Sequence, residues 1–224
     1  MRIRRGRAFS AMLSPAGVHA VSYRATSHGL EVLRYFAELS NGLDAPEAAE
    51  RLAELLVREG GRGSRLSLAV SGFSSYHHIL SLPPAPREVL LPIVRREFRR
   101  FFPDLFEPGA GEPIIDFVEI GAQSPGREGG TRELLAAAAP RSLFDTVHGA
   151  LARRDIQLEH WTIVPRTMQR LYDAFVSEPR TDAALVLAPR SPMLGFFHEG
   201  ELRLFSDLVS GANLQDPVGL ESLI

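Results

Sequence analysis

Few residues in this chain could carry chemistry, and two absences narrow them at once. The 224 residues include no Cys, which removes thiolate nucleophiles, disulfides and cysteine-ligated zinc or iron–sulfur sites. They also include no Lys, since every one of the 25 basic residues is Arg. A P-loop lysine, a Schiff-base lysine and a kinase-type strand lysine are therefore excluded by composition. The one histidine pair, His77-His78, falls on an expected strand, where neighbouring side chains point to opposite faces and cannot grip one ion. His148, His160 and His198 stand alone. Gly72-Phe73-Ser74-Ser75 lacks the closing glycine of a nucleophile elbow and leads into a strand rather than a helix. Glu107, Glu112, Asp116 and Glu119 divide between a loop and a strand, which reads as a solvated edge.

The most distinctive surface is basic. Arg95, Arg96, Arg99 and Arg100 flank an apolar stripe of Val94, Phe98, Phe101 and Phe102. Such a ridge could meet anionic lipid or an acidic partner segment; equally, its stems could cover the edge of a core with their heads in water. The net charge of −2 and the lack of an RNA-binding aromatic signature give no reason to expect nucleic acid.

These residues must be positioned by an α/β chain. An apolar fraction of 45% suits a buried core. No apolar run approaches the ~20 residues of a membrane span. The basic start, Met1 to Arg7, is followed by no long apolar stretch, so it is not a secretory signal; it could touch anionic lipid or simply be a solvated beginning. Strands are expected over Ala8–Leu13, Val18–Arg24 and Leu30–Leu39, separated by turns at Ser14-Pro15-Ala16-Gly17 and Ser27-His28-Gly29. Asp44 is placed to cap a helix reaching about Glu59, with Pro46 in its first turn. Leu66–Val70 and Ser74–Leu82 read as strands. A helix from Arg87 to Phe102 contains Pro92, so a kink or a late start is expected. Residues 104–112 and 123–131 read as loops. Strands Ile114–Ile120 and Glu133–Ala138, helix 141–153, strand Ile156–Val164 and helix Arg166–Val176 follow. Asp182–Ala188 opens a last set of strands, in which Met193–His198 and Leu202–Leu208 pair across Glu199-Gly200. Val218–Ile224 reads as the first turns of a helix.

The order β-β-β-α-β, an α/β insertion, a helix and a fresh antiparallel set is the plan of actin-like proteins. Several segments resemble the PilM family of type IV pilus assembly and the related GspL-type secretion proteins. Ile93-Val-Arg-Arg-Glu-Phe-Arg-Arg-Phe-Phe-Pro103 resembles that family's Glu-bearing helix with its aromatic-apolar-Pro stop, Glu97 and Pro103 falling at the matching places. Leu80-Ser-Leu-Pro83 resembles the strand-to-Pro step before it, and Asp116-Phe117 the Asp-aromatic pair on the next strand. Leu135-Ala-Ala-Ala-Ala-Pro-Arg-Ser-Leu-Phe-Asp145 resembles the strand–Pro–helix step, and Pro165 the break before the next helix. The likeness covers about residues 8–215 as a pattern of order and spacing.

The resemblance implies an α/β, actin-like (ribonuclease H-like) first lobe from 1–70 and 156–177, an inserted α/β subdomain at 71–155, and the opening strands of a second lobe at 178–224. A shortened family member or a piece of a longer chain is expected. It implies a groove between insertion and lobe that holds a short cytoplasmic segment of a PilN-like membrane partner. The expected groove residues are Ile79, Val94, Glu97 and Phe98. A cytoplasmic scaffold, peripheral to the inner membrane through its partners and open to self-association, is the implied role.

Actin-like ATPases hold phosphates with two Gly/Asp-rich turns, one opening each lobe, where backbone N–H groups approach the phosphates and an Asp positions Mg²⁺. The matching turns here are Met12 to Gly17 and Ala188 to Met193. Both lack an acidic residue and both carry proline. Ser14 and Gly17 in the first, and Arg190 and Ser191 in the second, are what remains of a nucleotide site. ATP and Mg²⁺ are thus not expected as cofactors, nor is a metal, and no catalytic residue is assigned. The alternative is an actin-like ATP-binding or filament-forming protein whose phosphate turns are merely divergent. A sugar or metabolite kinase would need a catalytic Asp, and the sequence places none.

Overall fold

A computed structural model describes residues 8–26, 29–40, 42–107, 111–120, 131–175, 182–186, 193–198 and 200–207. The expected C-terminal helix turns at Val218–Ile224 lie outside them. The chain divides into two compact units, Met1–Thr167 and Met168–Ile224.

In the first unit, strands β1 (Ala8–Ser14), β2 (Gly17–Thr26) and β3 (Gly29–Leu39) form an antiparallel meander. Helix α1 (Ala45–Arg58) returns the chain to β4 (Arg65–Val70), which lies parallel to β1. The sheet is completed much later by β8 (Gln157–Ile163), parallel to β4 with Arg65 opposite Gln157, giving the order β3-β2-β1-β4-β8.

Alternation decides which side is buried. Phe9, Ala11 and Leu13 of β1, Val18 and Ala20 of β2, and Leu66, Leu68 and Val70 of β4 share one core with α1. That helix supplies Ala48, Ala49, Leu52, Ala53, Leu55 and Leu56, an unbroken i, i+3, i+4 face. Asp44 begins it as expected, its Oδ1 accepting from the Glu47 N–H at 2.8 Å. Asp44→Ala should lower stability by about 1 kcal/mol in urea titration; Asp44→Asn should recover most of it.

Between β4 and β8 stands a second, smaller sheet. Strands β5 (Tyr76–Leu82) and β6 (Ile114–Ile120) flank β7 (Arg132–Ala139), all antiparallel. Helix α2 (Arg87–Phe101) packs its buried residues Leu90, Val94 and Phe98 on one face of that sheet, against Leu80, Phe117, Leu134, Ala136 and Ala138. The helix begins at Arg87 with Pro92 inside it, not late as the proline suggested. Proline there removes only the bond to the carbonyl of Glu88, in the exposed first turn, so the cost falls where water can replace it. A 3-10 turn at Pro103–Phe106 occupies what reads from sequence as loop, and buries Leu105 in the same core.

Helix α3 (Arg141–Ala152) lies within the stretch assigned to the insertion, yet its buried residues Leu143, Val147, Ala150 and Leu151 join the first core beside α1. Glu50 of α1 bridges to Arg153 and, at 2.7 Å, to Arg154 just beyond α3. Desolvation pushes the Glu50 carboxyl up, but hydrogen bonds from the two guanidinium groups and their charges outweigh it and leave it below the ordinary glutamate range. Helix α4 (Val164–Phe175) starts two residues earlier than its pattern suggested, taking Pro165 into its first turn, where a missing N–H costs nothing.

The second unit contains β9 (Asp182–Val186), β10 (Met193–His198) and β11 (Glu201–Asp207), in the order β11-β10-β9. The β10–β11 hairpin forms as expected around Gly200, whose φ of +84° suits glycine. Gln169 ties α4 to it, donating to the Gly200 carbonyl at 2.9 Å and accepting from the Leu202 N–H at 2.7 Å. Tyr172 stacks on Phe197 at 4.1 Å.

Candidate functional site

The first candidate is the turn between β1 and β2, at the C-terminal end of β1 where parallel α/β sheets place ligands. The residues there are committed to the fold. Ser14 is buried, and its hydroxyl donates to the Gly17 carbonyl across its own turn at 3.3 Å. The carbonyls of Pro15 and Ala16 accept from the Leu43 and Ser40 N–H groups at 2.8 and 2.9 Å. Gly17 has φ +134° and packs directly on the β3 backbone, where an added Cβ would lie 3.0 Å from Leu39 Cα and closer still to the Glu38 carbonyl oxygen. Its need for glycine is thus explained without a phosphate. On the other side of the turn runs Gly72-Phe73-Ser74, three successive residues with positive φ (70°, 53° and 58°). Gly72 approaches so near that a Cβ would come within 2.8 Å of Pro15 Cδ. Phe73 packs against the first core and Ser75 closes the loop onto the Gly72 carbonyl, which makes this segment a strained packing turn leading into β5. The second turn, with Arg190 and Ser191, lies outside the described residues.

The second candidate is the small sheet with its helix, and it does not bring the four expected groove residues onto one surface. Val94 and Phe98 are fully buried between α2 and the sheet, so they build the insertion's core and are not available to a partner. Apolar periodicity marks the covered side of a helix, and that is the side they occupy. Glu97 sits on the flank of α2 between Arg96 (3.6 Å) and Arg100 (3.2 Å). Ile79 points the other way. Leu80, packed in the α2 core, and Ile79 alternate on β5, which puts Ile79 on the sheet face turned from the helix. Opposite it on that face stand Leu135 and then Val118, with Ala137 and Asp116 one pair further along. Ile79, Val118 and Ala137 are half-buried, while Ala139 at the end of the same row joins the first core. This row, running from the insertion toward the first core, was not legible in sequence because Ala136, Ala137, Ala138 and Ala139 carry no alternation.

The basic ridge is engaged internally. Arg95 pairs with Glu112, and Arg99 and Arg100 lie over Phe106 and Phe101 at 5.0 and 4.5 Å. Arg87, at the start of α2, pairs with Asp116 and donates to the Phe117 carbonyl at 3.2 Å, so Asp116-Phe117 anchors the helix to β6. His78 stacks on Phe101 at 4.5 Å on the helix side, and His77 takes the opposite face, as the strand reading required. Among the described residues no cluster of three His, Asp or Glu side chains could hold a metal. No described helix is long and apolar enough to cross a membrane.

No family model and no curated protein matches the sequence. Solved structures match the fold. The PilM–PilN type IV pilus biogenesis complex superposes with a TM-score of 0.72 at 17% identity, over 92% of this chain and 63% of that one. The fold is actin-like. The cytoplasmic domain of EpsL, an inner-membrane component of the Vibrio cholerae type II secretion system, gives a TM-score of 0.55 at 11% identity, over 90% of this chain and 71% of its own. A Bacteroides thetaiotaomicron protein with an actin-like ATPase fold gives 0.54 at 10% identity, covering 92% and 71%. The chain thus spans a little under two thirds of the length of the pilus-complex structure it matches. The five-stranded sheet shares one core with α1 and α3, and β5-β7-β6 with α2 forms a module with its own core, set between β4 and β8 in the chain.

Proposed function

We propose that this chain is an actin-like scaffold of a type IV pilus or type II secretion-like assembly platform. It holds a short segment of a PilN-like membrane partner against the row Ile79, Val118 and Ala137 and does not turn over ATP. The observation that carries this reading is the likeness to the PilM–PilN complex across 92% of the chain. The half-buried apolar row supports the partner site, since extended peptides are held by main-chain pairing and side-chain pockets along such surfaces. The tied, Asp-free β1–β2 turn supports the absence of turnover, because it lacks the acidic group that would hold Mg²⁺. The protein then works in the cytoplasm, at the inner membrane only through its partner.

Calorimetry with a synthetic N-terminal peptide of a PilN-like protein tests the partner site. Binding is expected for the native chain, and Ile79→Asp should weaken it at least about tenfold, or ~1.4 kcal/mol, by placing a charge in the row. A folded protein that binds no such peptide removes the reading. Mg-ATP at millimolar concentration should leave the melting temperature unchanged; a rise would restore the ATP-binding alternative by linkage.

A further inference from the structure

Strand β3 is an outer edge of the five-stranded sheet and, at 11 residues, the longest of the described strands. Natural edges are blunted by short length, proline, inward charges or a covering element. This one carries five of the exposed large apolar side chains among the described residues: Leu30, Val32, Leu33, Tyr35 and Leu39. Val32 and Tyr35 are 65% and 60% exposed. Its backbone direction can also be assigned. Ser40 N–H donates to the Ala16 carbonyl, its directly opposed residue, so Ser40, Glu38, Phe36 and Arg34 turn their main-chain groups toward β2. Tyr35, Ala37 and Leu39 turn theirs outward, at an edge that no other described strand pairs.

We propose that β3 is a self-association edge, pairing antiparallel with β3 of a second copy about a two-fold axis through Phe36. The register follows from two independent requirements. Hydrogen bonding across the axis needs the outward residues Tyr35, Ala37 and Leu39 to oppose themselves or one another. Of these registers only Tyr35 with Ala37 brings opposite charges together, because it sets Arg34 of each copy against Glu38 of the other, in the close non-hydrogen-bonded positions. Inside one chain Arg34 already pairs with Glu59 at 2.8 Å and Glu38 with Arg58 at 2.5 Å. The two-fold therefore joins them into alternating rows of four charges, Glu59, Arg34, then Glu38 and Arg58 of the second copy. On the opposite face Tyr35 meets Ala37, and the bulge at Ser22/Tyr23 ends the regular pairing at Leu33. Such an isologous pairing closes at two subunits and continues the sheet from one copy into the next.

Sedimentation of the full chain should show a reversible dimer at about 100 μM, above the micromolar affinity typical of modest interfaces. Ala37→Pro removes an outward N–H that β2 does not use. It should raise the dimer Kd at least about tenfold while circular dichroism and the melting curve keep a folded monomer. Because the chain has no Cys, register can be read separately by oxidation. Mixed Tyr35→Cys and Ala37→Cys chains should cross-link faster to each other than either does to itself, since opposed Cα atoms stand about 5.5 Å apart. A chain that stays monomeric, a dimer indifferent to Ala37→Pro, preferential self-cross-linking of either variant, or a PilN-like peptide occupying β3 in place of the second copy each overturns the proposal.

Discussion

Gly17→Ala is expected to destabilise the protein by more than about 3 kcal/mol, one of the largest single-site effects in the chain. Two costs add. A φ of +134° lies where L-residues are strained, worth ~1–3 kcal/mol alone. The new methyl would also press on Leu39 Cα and on the Glu38 peptide, which are backbone and cannot swing aside. Relief would require β3 to move from β2, and Phe36 of β3 belongs to the first core, in edge contact with Phe9 at 6.1 Å. Guanidinium denaturation reads the loss directly. A glycine retained instead for nucleotide contact would show a different pattern: near-native stability of the free protein and a change only in the presence of Mg-ATP. A loss under about 1 kcal/mol would refute the packing account.

Phe98→Ala should cost about 3–5 kcal/mol, the range for emptying a fully buried aromatic site. Phe98 is closed off from solvent and its ring stands 5.3 Å from that of Phe102, with Leu90, Val94 and the sheet residues around it. The loss should be uneven. Phe98 belongs to the insertion's own hydrophobic cluster, separate from the cluster under α1 and α3, so hydrogen exchange should quicken first in β5, β6 and β7. Phe101→Ala, three positions on and 44% exposed, should cost less than about 1 kcal/mol. Equal losses at the two positions would mean that α2 does not hold the sheet through the face described.

Much of this architecture was legible in the residues. The meander, α1 with its Asp44 cap and the β10–β11 hairpin follow from alternation, turn residues and helical spacing, each a local signal. The elements between β4 and β8 were legible one by one, with Pro83 ending β5 and Pro140 separating β7 from α3. What sequence could not supply was direction. The stripe Val94, Phe98, Phe101, Phe102 shows that α2 is amphipathic, but not that Val94 and Phe98 lie wholly beneath it while Phe101 remains half in water. Likewise Leu30, Val32, Tyr35 and Leu39 read as ordinary strand positions. Their exposure comes from the place of β3 at the end of the sheet order, which long-range pairing decides. Gly17 illustrates a third limit: a turn glycine can serve a ligand or a neighbouring strand, and only the nearness of Glu38 and Leu39 distinguishes them.

The parallel pairing of β4 with β8 has a consequence for how the molecule is made. Val70 leaves the first sheet and Gln157 begins its last strand, with the whole module between them. As a free coil, that stretch would have to be drawn into a closed loop before the final strand could bond, an entropic cost growing as the logarithm of its length. Once β5, β6, β7 and α2 have condensed, the stretch is no longer a coil, and α3 leads the chain back beside α1. Emerging from the ribosome, the meander and β4 come first, the module second and β8 last. Cotranslational proteolysis should therefore find a protected module before a protected β8, which makes the insertion a tether that brings the last strand of the lobe within reach.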